Sequence, residues 1–325
     1  MTRFAPAAIL YGRMISFVIP VQDEEPTLQT LCAEIIDVAG QAALEIEIIF
    51  VDDGSTDGSW ARIVDLAASD GRIRGLRLRR NFGKAAALSA GFAEVKGDIV
   101  FTLDADLQDD PHEIPRFLAK LNEGYDMVSG WKRVRHDPWH KVWPSRVFNR
   151  IVGALTGLHL HDHVCGFKCF RAEVLREVHL YGEMHRFFAV RAFARGFRIT
   201  EIEVHHRPRE HGRSKYGVSR FGKGFLDLLT VWFTIRYGRR PMHVLGTIGG
   251  GIVLLGVLCL LVGGWWAALI LVLFGAQWLG LGWLAESRLA AAPPGITQYS
   301  LAGRAGAGAT EVHRDDRAAD DPPGS

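Results

Sequence analysis

The stretch "DIVFTLDADLQDDP", residues 98–111, decides how the chain is read. An apolar run from Ile99 to Leu103 ends abruptly in four carboxylates, Asp104, Asp106, Asp109 and Asp110. Like charges this close repel, and each is better solvated by water than by a core. The pattern is a buried strand delivering acids to a rim. A hard divalent cation would offset their repulsion, since such ions take oxygen ligands; magnesium typically uses one or two carboxylates together with substrate phosphates. Asp104 and Asp106, two apart, face one site if the chain turns there, and Gln108 continues the alternation with a neutral oxygen. A solvated acidic turn before Pro111 is the competing reading.

Working upstream, strands and helices alternate. "ISFVIP" from Ile15 and "IEIIFV" from Ile46 read as buried strands, and "IRGLRL" as a third. Between them, "PTLQTLCAEIIDVA" is a helix opened by Pro26, with Leu28, Leu31, Cys32 and Ile35 on one face. "SWARIVDLAA" carries a stripe of Trp60, Ile63, Val64 and Ala67. "GKAAALSAGFAEV" is a third helix, expected to close at Gly97. Continuously apolar strands joined by helices predict an α/β domain, its mostly parallel sheet covered on both faces. Ligands in such folds bind beyond the carboxyl ends of the strands. Three strand ends carry polar clusters there: "PVQDEE", "VDDGSTDGS" and "DADLQDD". No P-loop signature, no G-x-G-x-x-G after the first strand and no G-x-S-x-G elbow occurs, which argues against a P-loop NTPase, a dinucleotide dehydrogenase and a serine hydrolase.

The 325 residues suggest about two domains. The net charge of +2 names no partner, but the charge is uneven. Residues 131–150 hold Lys132, Arg133, Arg135, Lys141, Arg146 and Arg150, and residues 205–223 hold a second basic cluster. Such clusters suit phosphates or anionic lipid; for any single Arg a solvated surface is the plainer reading. Nucleic acid is not expected, because no helix-turn-helix or aromatic stacking platform accompanies them. Of the four cysteines, Cys32 and Cys259 lie in apolar segments. Cys165 and Cys169, with His161 and His163, superficially resemble a zinc cluster, but the spacing is not that of a familiar finger. No disulfide framework is expected, consistent with a reducing compartment. Residues 1–13 read as an N-terminal extension without a convincing signal peptide, and Met14 is an alternative start.

Residues 243–285 contain no Asp, Glu, Lys or Arg. About 20 apolar residues cross a bilayer core, so the run predicts two membrane helices, 243–263 and 266–285 within a segment 242–287, joined at Gly263-Gly264; one long tilted helix is the alternative. Trp265 and Trp266 fall at the far interface, and basic residues flank both ends, placing them in the cytoplasm by the positive-inside rule. The chain is thus expected to be a multi-pass protein of the inner (cytoplasmic) membrane with its catalytic domain in the cytoplasm. Before the hairpin, residues 219–241 show Phe225, Leu228, Leu229, Trp232 and Phe233 at helical spacing beside basic groups, as in a helix lying in the membrane interface; an ordinary core helix is the alternative. Residues 288–325 are expected to be disordered.

The ordered motifs "VIPVQDEE", "VDDGSTDGS", "NFGKAAALSAGF" and "DADLQDDP" resemble those of family-2 glycosyltransferases with the GT-A fold. "GFKCFRAEVL", "GEMHRF" and "RPREHGRSKYG" resemble the branch containing dolichyl-phosphate mannose synthase and bacterial polyprenyl-phosphate glycosyltransferases. The resemblance covers about residues 14–240, with the catalytic domain proper at 14–218. It implies a nucleoside diphosphate sugar donor, UDP- or GDP-linked, a Mg2+ or Mn2+ ion, and a polyprenyl phosphate acceptor at the bilayer. Pro20, Gln22, Glu24, Val51 and Asp53 would line the nucleotide, with Lys84, Asp104, Ala105, Asp106 and Arg133 about the diphosphate. The base pocket departs from the commoner pattern at Gln22 and Asp23. Asp104, Asp106 and Gln108 would hold the metal. Asp106, Asp162, Arg209 and Lys215 form the implied catalytic set, Arg209 and Lys215 gripping phosphates beside Ser214. Asp162 would orient the acceptor, act as a base, or simply cap a loop; Glu183, His185 and Arg186 would shape the acceptor site or pair with one another. The expected reaction is inverting transfer to the lipid phosphate. A different lipid or glycan acceptor, or an inactive nucleotide-sugar-binding membrane protein, are the alternatives; the Q-x-x-R-W pattern of polymer synthases is absent. The sugar and any self-association stay open.

Overall fold

The computed structural model describes residues 13–133, 139–178, 180, 182–208, 219–238 and 240–290. Seven strands form one sheet in the order β3-β2-β1-β4-β6-β5-β7. They are β1 (Ile15–Val21), β2 (Ile46–Asp52), β3 (Ile73–Arg77), β4 (Ile99–Thr102), β5 (Met127–Trp131), β6 (Lys168–Arg171) and β7 (Ile199–Glu203). Every neighbouring pair is parallel except the two made by β6, which runs antiparallel to β4 and β5. β2 is buried along its whole length, as its nearly continuous apolar run requires when both faces are covered. Phe17, Ile19, Ile48 and Phe50 face one core, shared with helices α1 (Glu25–Gln41) and α4 (Ile114–Asn122). Val18, Ile49 and Val51 face the other, shared with α3 (Lys84–Ala93) and α7 (Phe188–Ala194). Helix α2 (Ser59–Ser69) packs beside β3, α5 (Trp139–Thr156) follows β5, and α6 (Glu173–Glu177) follows β6.

The strand order reverses between β1 and β4, so the crevice beyond their carboxyl ends is the topological switch point. The expected Gly97 stop is corrected: α3 ends at Ala93. Gly97 instead lets β1 pass close by, since a Cβ there would lie 2.5 Å from the Met14 carbonyl.

Helix α8 (Ser219–Tyr237) leads into α9 (Pro241–Leu261) and α10 (Trp265–Ala290). The last two are long and apolar enough to cross a membrane, over Pro241–Leu261 and Trp265–Arg288. They fold back on each other through Val262, Gly263 and Gly264, which excludes a single long helix, and Gly263 turns at φ +80°. Gly249 and Gly275 let the backbones meet, since a Cβ on either would sit 2.7 and 2.6 Å from the other's carbonyl. Trp265 and Trp266 stand exposed at this turn. In helix α8, Leu228 and Val231 are buried in the second core, whereas Leu226 and Leu229 face outward. It is part of the domain's packing and apolar on the opposite face as well. The tail beyond residue 290 and the extension before residue 13 lie outside the described residues.

Candidate active site

The loops after β1 and β2 are tied together by short polar side chains. Asp23, held at φ +53°, accepts from the Thr56 amide at 2.7 Å, and its own amide donates to Ser55 Oγ at 3.0 Å. The Glu24 amide donates to Ser59 Oγ at 2.9 Å. Pro20, Gln22 and Glu24 therefore lie half-buried on a fixed edge of the crevice. Thr27 Oγ1 donates to the Ala105 carbonyl at 2.6 Å, fastening α1 to the acidic rim. Ala105 is thus backbone scaffolding, and the Val51 side chain is core, facing α3; neither side chain is open to a ligand.

Asp53 accepts from the Phe82 amide at 2.7 Å and the Gly83 amide at 2.9 Å, one per carboxylate oxygen. Burial raises its pKa; the two amide bonds oppose that rise and the neighbouring Asp52 adds to it. Its work in this structure is to fix the start of α3, and hence Lys84. Lys84 Nζ makes an ion pair with Asp104 Oδ1. Burial alone would raise the Asp104 pKa, but Lys84 and Lys132 outweigh it and hold the carboxyl down at about 2. Gly166, in the "CGF" turn before β6, forms the wall behind this carboxylate: a Cβ there would lie 2.7 Å from Asp104 Oδ2. The Asp106 carboxylate accepts from the Gln108 amide at 3.2 Å across Leu107, which sits at φ +60°. That conformation is unfavourable for a leucine and marks a turn the surroundings enforce. The Gln108 side-chain nitrogen lies 3.5 Å from His206 Nε2.

Hard oxygen donors, a strand-end turn and a cradle that a single Cβ would fill suit a divalent cation at Asp104, Asp106 and Gln108. Among the described residues, Glu34, Asp110 and His112 also converge closely enough to be considered as ligands. That cluster already has its cation: Arg207 donates to both Glu34 oxygens at 2.9 and 2.8 Å and to Asp110 at 2.7 Å.

Several roles in the crevice were not legible in the sequence. Lys132 Nζ lies 2.8 Å from the buried Asp109. Burial works against its charge, but Asp109, Cys165 and Asp104 overcome that and raise its pKa. Lys168 is buried and donates to the Cys165 carbonyl; burial lowers its pKa. His185 adds positive potential at Asp104. The sequence signal that sets Lys132 apart from its basic neighbours is period-two alternation at the end of β5: Lys132 turns in while Arg133 turns out to pair with Glu203 at 3.2 Å. Arg133 reaches a basic pocket rather than Asp104 itself. That cavity, of ≈610 Å3, opens between the end of β5 and α5 and is lined by Lys132, Arg133, Arg146, Asn149, Arg150 and His159 among others.

Asp162 is buried, and its carboxylate accepts from the Val164 amide at 3.2 Å, the loop-capping alternative. Glu183 and Arg186 pair at 2.6 Å. His163 is buried with neither ring nitrogen hydrogen-bonded, and burial followed by the Lys168 charge pushes its pKa to about 4. Cys165 and Cys169 are buried free thiols whose pKa burial raises, and His161 stacks on Trp131 at 4.1 Å and pairs with Glu201. Arg209, Ser214 and Lys215 lie outside the described residues.

A mostly parallel sheet with a carboxylate pair at its switch point, followed by an apolar helical hairpin, defines a GT-A-type domain carrying a membrane-length anchor. The chain belongs to glycosyl transferase family 2, whose family model matches residues 16–179, and it is a glycosyltransferase. It is 37% identical to the undecaprenyl-phosphate 4-deoxy-4-formamido-L-arabinose transferase of Aeromonas hydrophila over 84% of this chain and 88% of that one. It is 38% identical to the dodecaprenyl-phosphate galacturonate synthase of Rhizobium johnstonii over 76% and 75%. Among solved structures it resembles glucosyl-3-phosphoglycerate synthase from Mycobacterium tuberculosis, in complex with Mn2+, UDP and phosphoglyceric acid, with a TM-score of 0.54 and 21% identity over 70% and 79% of the chains. That likeness is one of fold.

Proposed function

We propose that this enzyme transfers a sugar from a nucleoside diphosphate donor to a polyprenyl phosphate at the cytoplasmic face of a membrane, with inversion at the sugar carbon. One observation carries the reading: Lys132 belongs both to the carboxylate crevice and to the basic pocket of Arg146 and Arg150. Two anionic groups, a donor diphosphate and an acceptor phosphate, can thus be held side by side. The names of the two relatives, both acting on polyprenyl phosphates, support the same acceptor class.

Asp104, Asp106 and Gln108 would hold a divalent cation, which supplies Lewis-acid screening of charge on the leaving diphosphate. Lys84, anchored through Asp53, contributes a fixed cation at the diphosphate, whose charge grows as the sugar bond breaks. Lys132, Arg146 and Arg150 orient the acceptor phosphate. A phosphate monoester with a second pKa of about 6 is largely ionised at neutral pH, so it needs positioning more than a general base. Buried Asp162 is accordingly a support for the floor of the site, and the hairpin keeps the crevice beside a lipid acceptor. The ion's identity, the base and the sugar are for experiment: detergent-solubilised protein, undecaprenyl phosphate and a panel of UDP- and GDP-sugars, with Mg2+, Mn2+ or EDTA. Metal-dependent labelling of the lipid by one donor is the expected result. Labelling of water-soluble acceptors alone would remove the lipid phosphate from the reading.

A further inference from the structure

The chain leaving β7 is fastened along the acidic rim. The Val204 amide donates to the Trp131 carbonyl at 3.0 Å and the Arg207 amide to the Gln108 carbonyl at 2.9 Å. Between them, the His205 amide donates to Glu113 Oε1 at 3.2 Å, and His206 pairs with Asp109 as an isolated antiparallel bridge. The Arg207 side chain then reaches past the rim to α1. One guanidinium nitrogen donates to both Glu34 oxygens, and the other donates to Asp110 Oδ1 at 2.7 Å. Arg207, Glu34 and Asp110 are only 24%, 23% and 17% exposed, so salt screens them less than it would a surface pair.

These ties hold a turn that would not hold itself. Leu107 sits at φ +60°, where a bulky residue stays only if its surroundings over-determine it. Three restraints do so here. The Leu107 side chain is buried in the first core. Lys132 holds Asp109 at 2.8 Å. Arg207 holds Gln108 through its amide and Asp110 through its guanidinium. The turn's other two members, Asp106 and Gln108, are the groups that suit a cation. Gln108 Nε2 lies 3.5 Å from His206 Nε2, and an amide with its nitrogen turned that way keeps its oxygen for another partner. Arg207 belongs to the basic cluster at 205–223, but its guanidinium is committed to carboxylates rather than to a phosphate.

We propose that Arg207 is a positioning residue for the metal site. By clamping the exit of β7 to α1 and to the rim, it keeps the Asp106–Leu107–Gln108 turn in the conformation that presents its oxygens. It acts through Gln108 and Asp110, one step removed from the cation. The planar fork is what the geometry uses: a guanidinium meets Glu34 and Asp110 together, whereas an ammonium is a single point of charge. This deepens the proposed function and rests on its metal site, but the clamp itself can be read in the metal-free protein.

The test uses the full detergent-solubilised chain carrying Arg207→Met or the milder Arg207→Lys. Hydrogen–deuterium exchange without metal comes first. Amides of residues 106–110 should exchange several-fold faster in Arg207→Met, and by a smaller factor in Arg207→Lys, with β2 unchanged. Unchanged exchange at the turn overturns the clamp. So does an equal rise in β2, which would make Arg207 a general stabiliser. Mn2+ is then titrated with whichever nucleoside diphosphate, UDP or GDP, the wild type binds. Arg207→Met should bind Mn2+ about tenfold more weakly. Water-proton relaxation should show an additional water on the bound ion in place of the Gln108 oxygen, a change that lost stability alone does not produce. Combined with Gln108→Ala the losses should not add, the double variant binding Mn2+ like Gln108→Ala alone. Additive losses, or wild-type Mn2+ binding by Arg207→Met, overturn the positioning role. If the wild type itself binds no Mn2+, the metal assignment fails, while faster exchange at the turn in Arg207→Met still upholds the clamp.

Discussion

Gly166→Ala should separate site geometry from folding. Gly166 is not in the left-handed region, so alanine can adopt its backbone. The new Cβ would, however, fall 2.7 Å from Asp104 Oδ2 and 2.9 Å from Oδ1. Carbon–oxygen contacts relax to about 3.3 Å, so the carboxylate must retreat by about 0.6 Å. The group that moves is the end of a side chain, so the cost in stability stays within about 1 kcal/mol. Its effect on ligands is larger: outer-shell changes cost about 10–100-fold in metal affinity or activity, and a ~1 Å misplacement about 100-fold. Titration of Mn2+ in the presence of whichever nucleoside diphosphate, UDP or GDP, the wild type binds, followed by calorimetry or spin resonance, should show at least about tenfold weaker binding. Gly91→Ala is the control. Its Cβ would meet Val18 Cγ1 at 2.4 Å inside the core, an overpacking that costs about 1–3 kcal/mol while leaving the carboxylates alone. If Gly166→Ala binds Mn2+ like wild type, or if both variants lose metal affinity only in proportion to lost stability, the assignment of Asp104 to the metal is wrong.

Lys84→Met removes the cation paired with Asp104, so Mn2+ affinity without nucleotide should rise several-fold while turnover falls; weaker metal binding would contradict the role given to Lys84. Asp53→Asn leaves one of the Phe82 and Gly83 amides facing an NH2 group, which should cost about 1–3 kcal/mol in denaturant unfolding and lower nucleotide-sugar affinity through displacement of Lys84. Buried His163 titrates at about 4, below the 6.5 of an unperturbed imidazole. The stability it confers is complete above pH 6.5 and declines as pH falls through 4, by up to about 1.4 kcal/mol per pH unit. His163→Phe should flatten that slope, and an unchanged slope would mean the histidine is charged in the fold. Arg133→Ala, at an exposed pair with Glu203, should shift stability by less than about 1 kcal/mol, with a smaller loss of transfer than Arg150→Ala; the reverse order would move the acceptor phosphate to the β7 edge.

The sheet and its two covered faces were legible because a nearly continuous apolar run such as Ile46–Val51 must be shielded from water on both sides. The acidic rim was legible from the same solvation argument, since the run from Ile99 could end only where Asp104 and Asp106 can be solvated or bound. The hairpin followed from length, charge and the glycine pair, all local properties. The bounds of α3 were less clear, because Gly97 served close packing against β1 rather than helix termination.

What the sequence alone determined is therefore what periodicity and composition encode: which segments are strands or helices, which end carries acids, and which run is long enough for a bilayer. What only the tertiary structure decided is partnership across the chain. That Lys84 meets Asp104, that Lys132 rather than Arg133 turns toward Asp109, and that Gly166 makes room for a carboxylate depend on β6 lying antiparallel between β4 and β5. The outward faces of α5 and α8 depend likewise on which side each helix lays against the second core. Hydrophobic spacing says that a helix has an apolar face. With two apolar faces, as on α8, only the packing of distant segments selects the one that is buried.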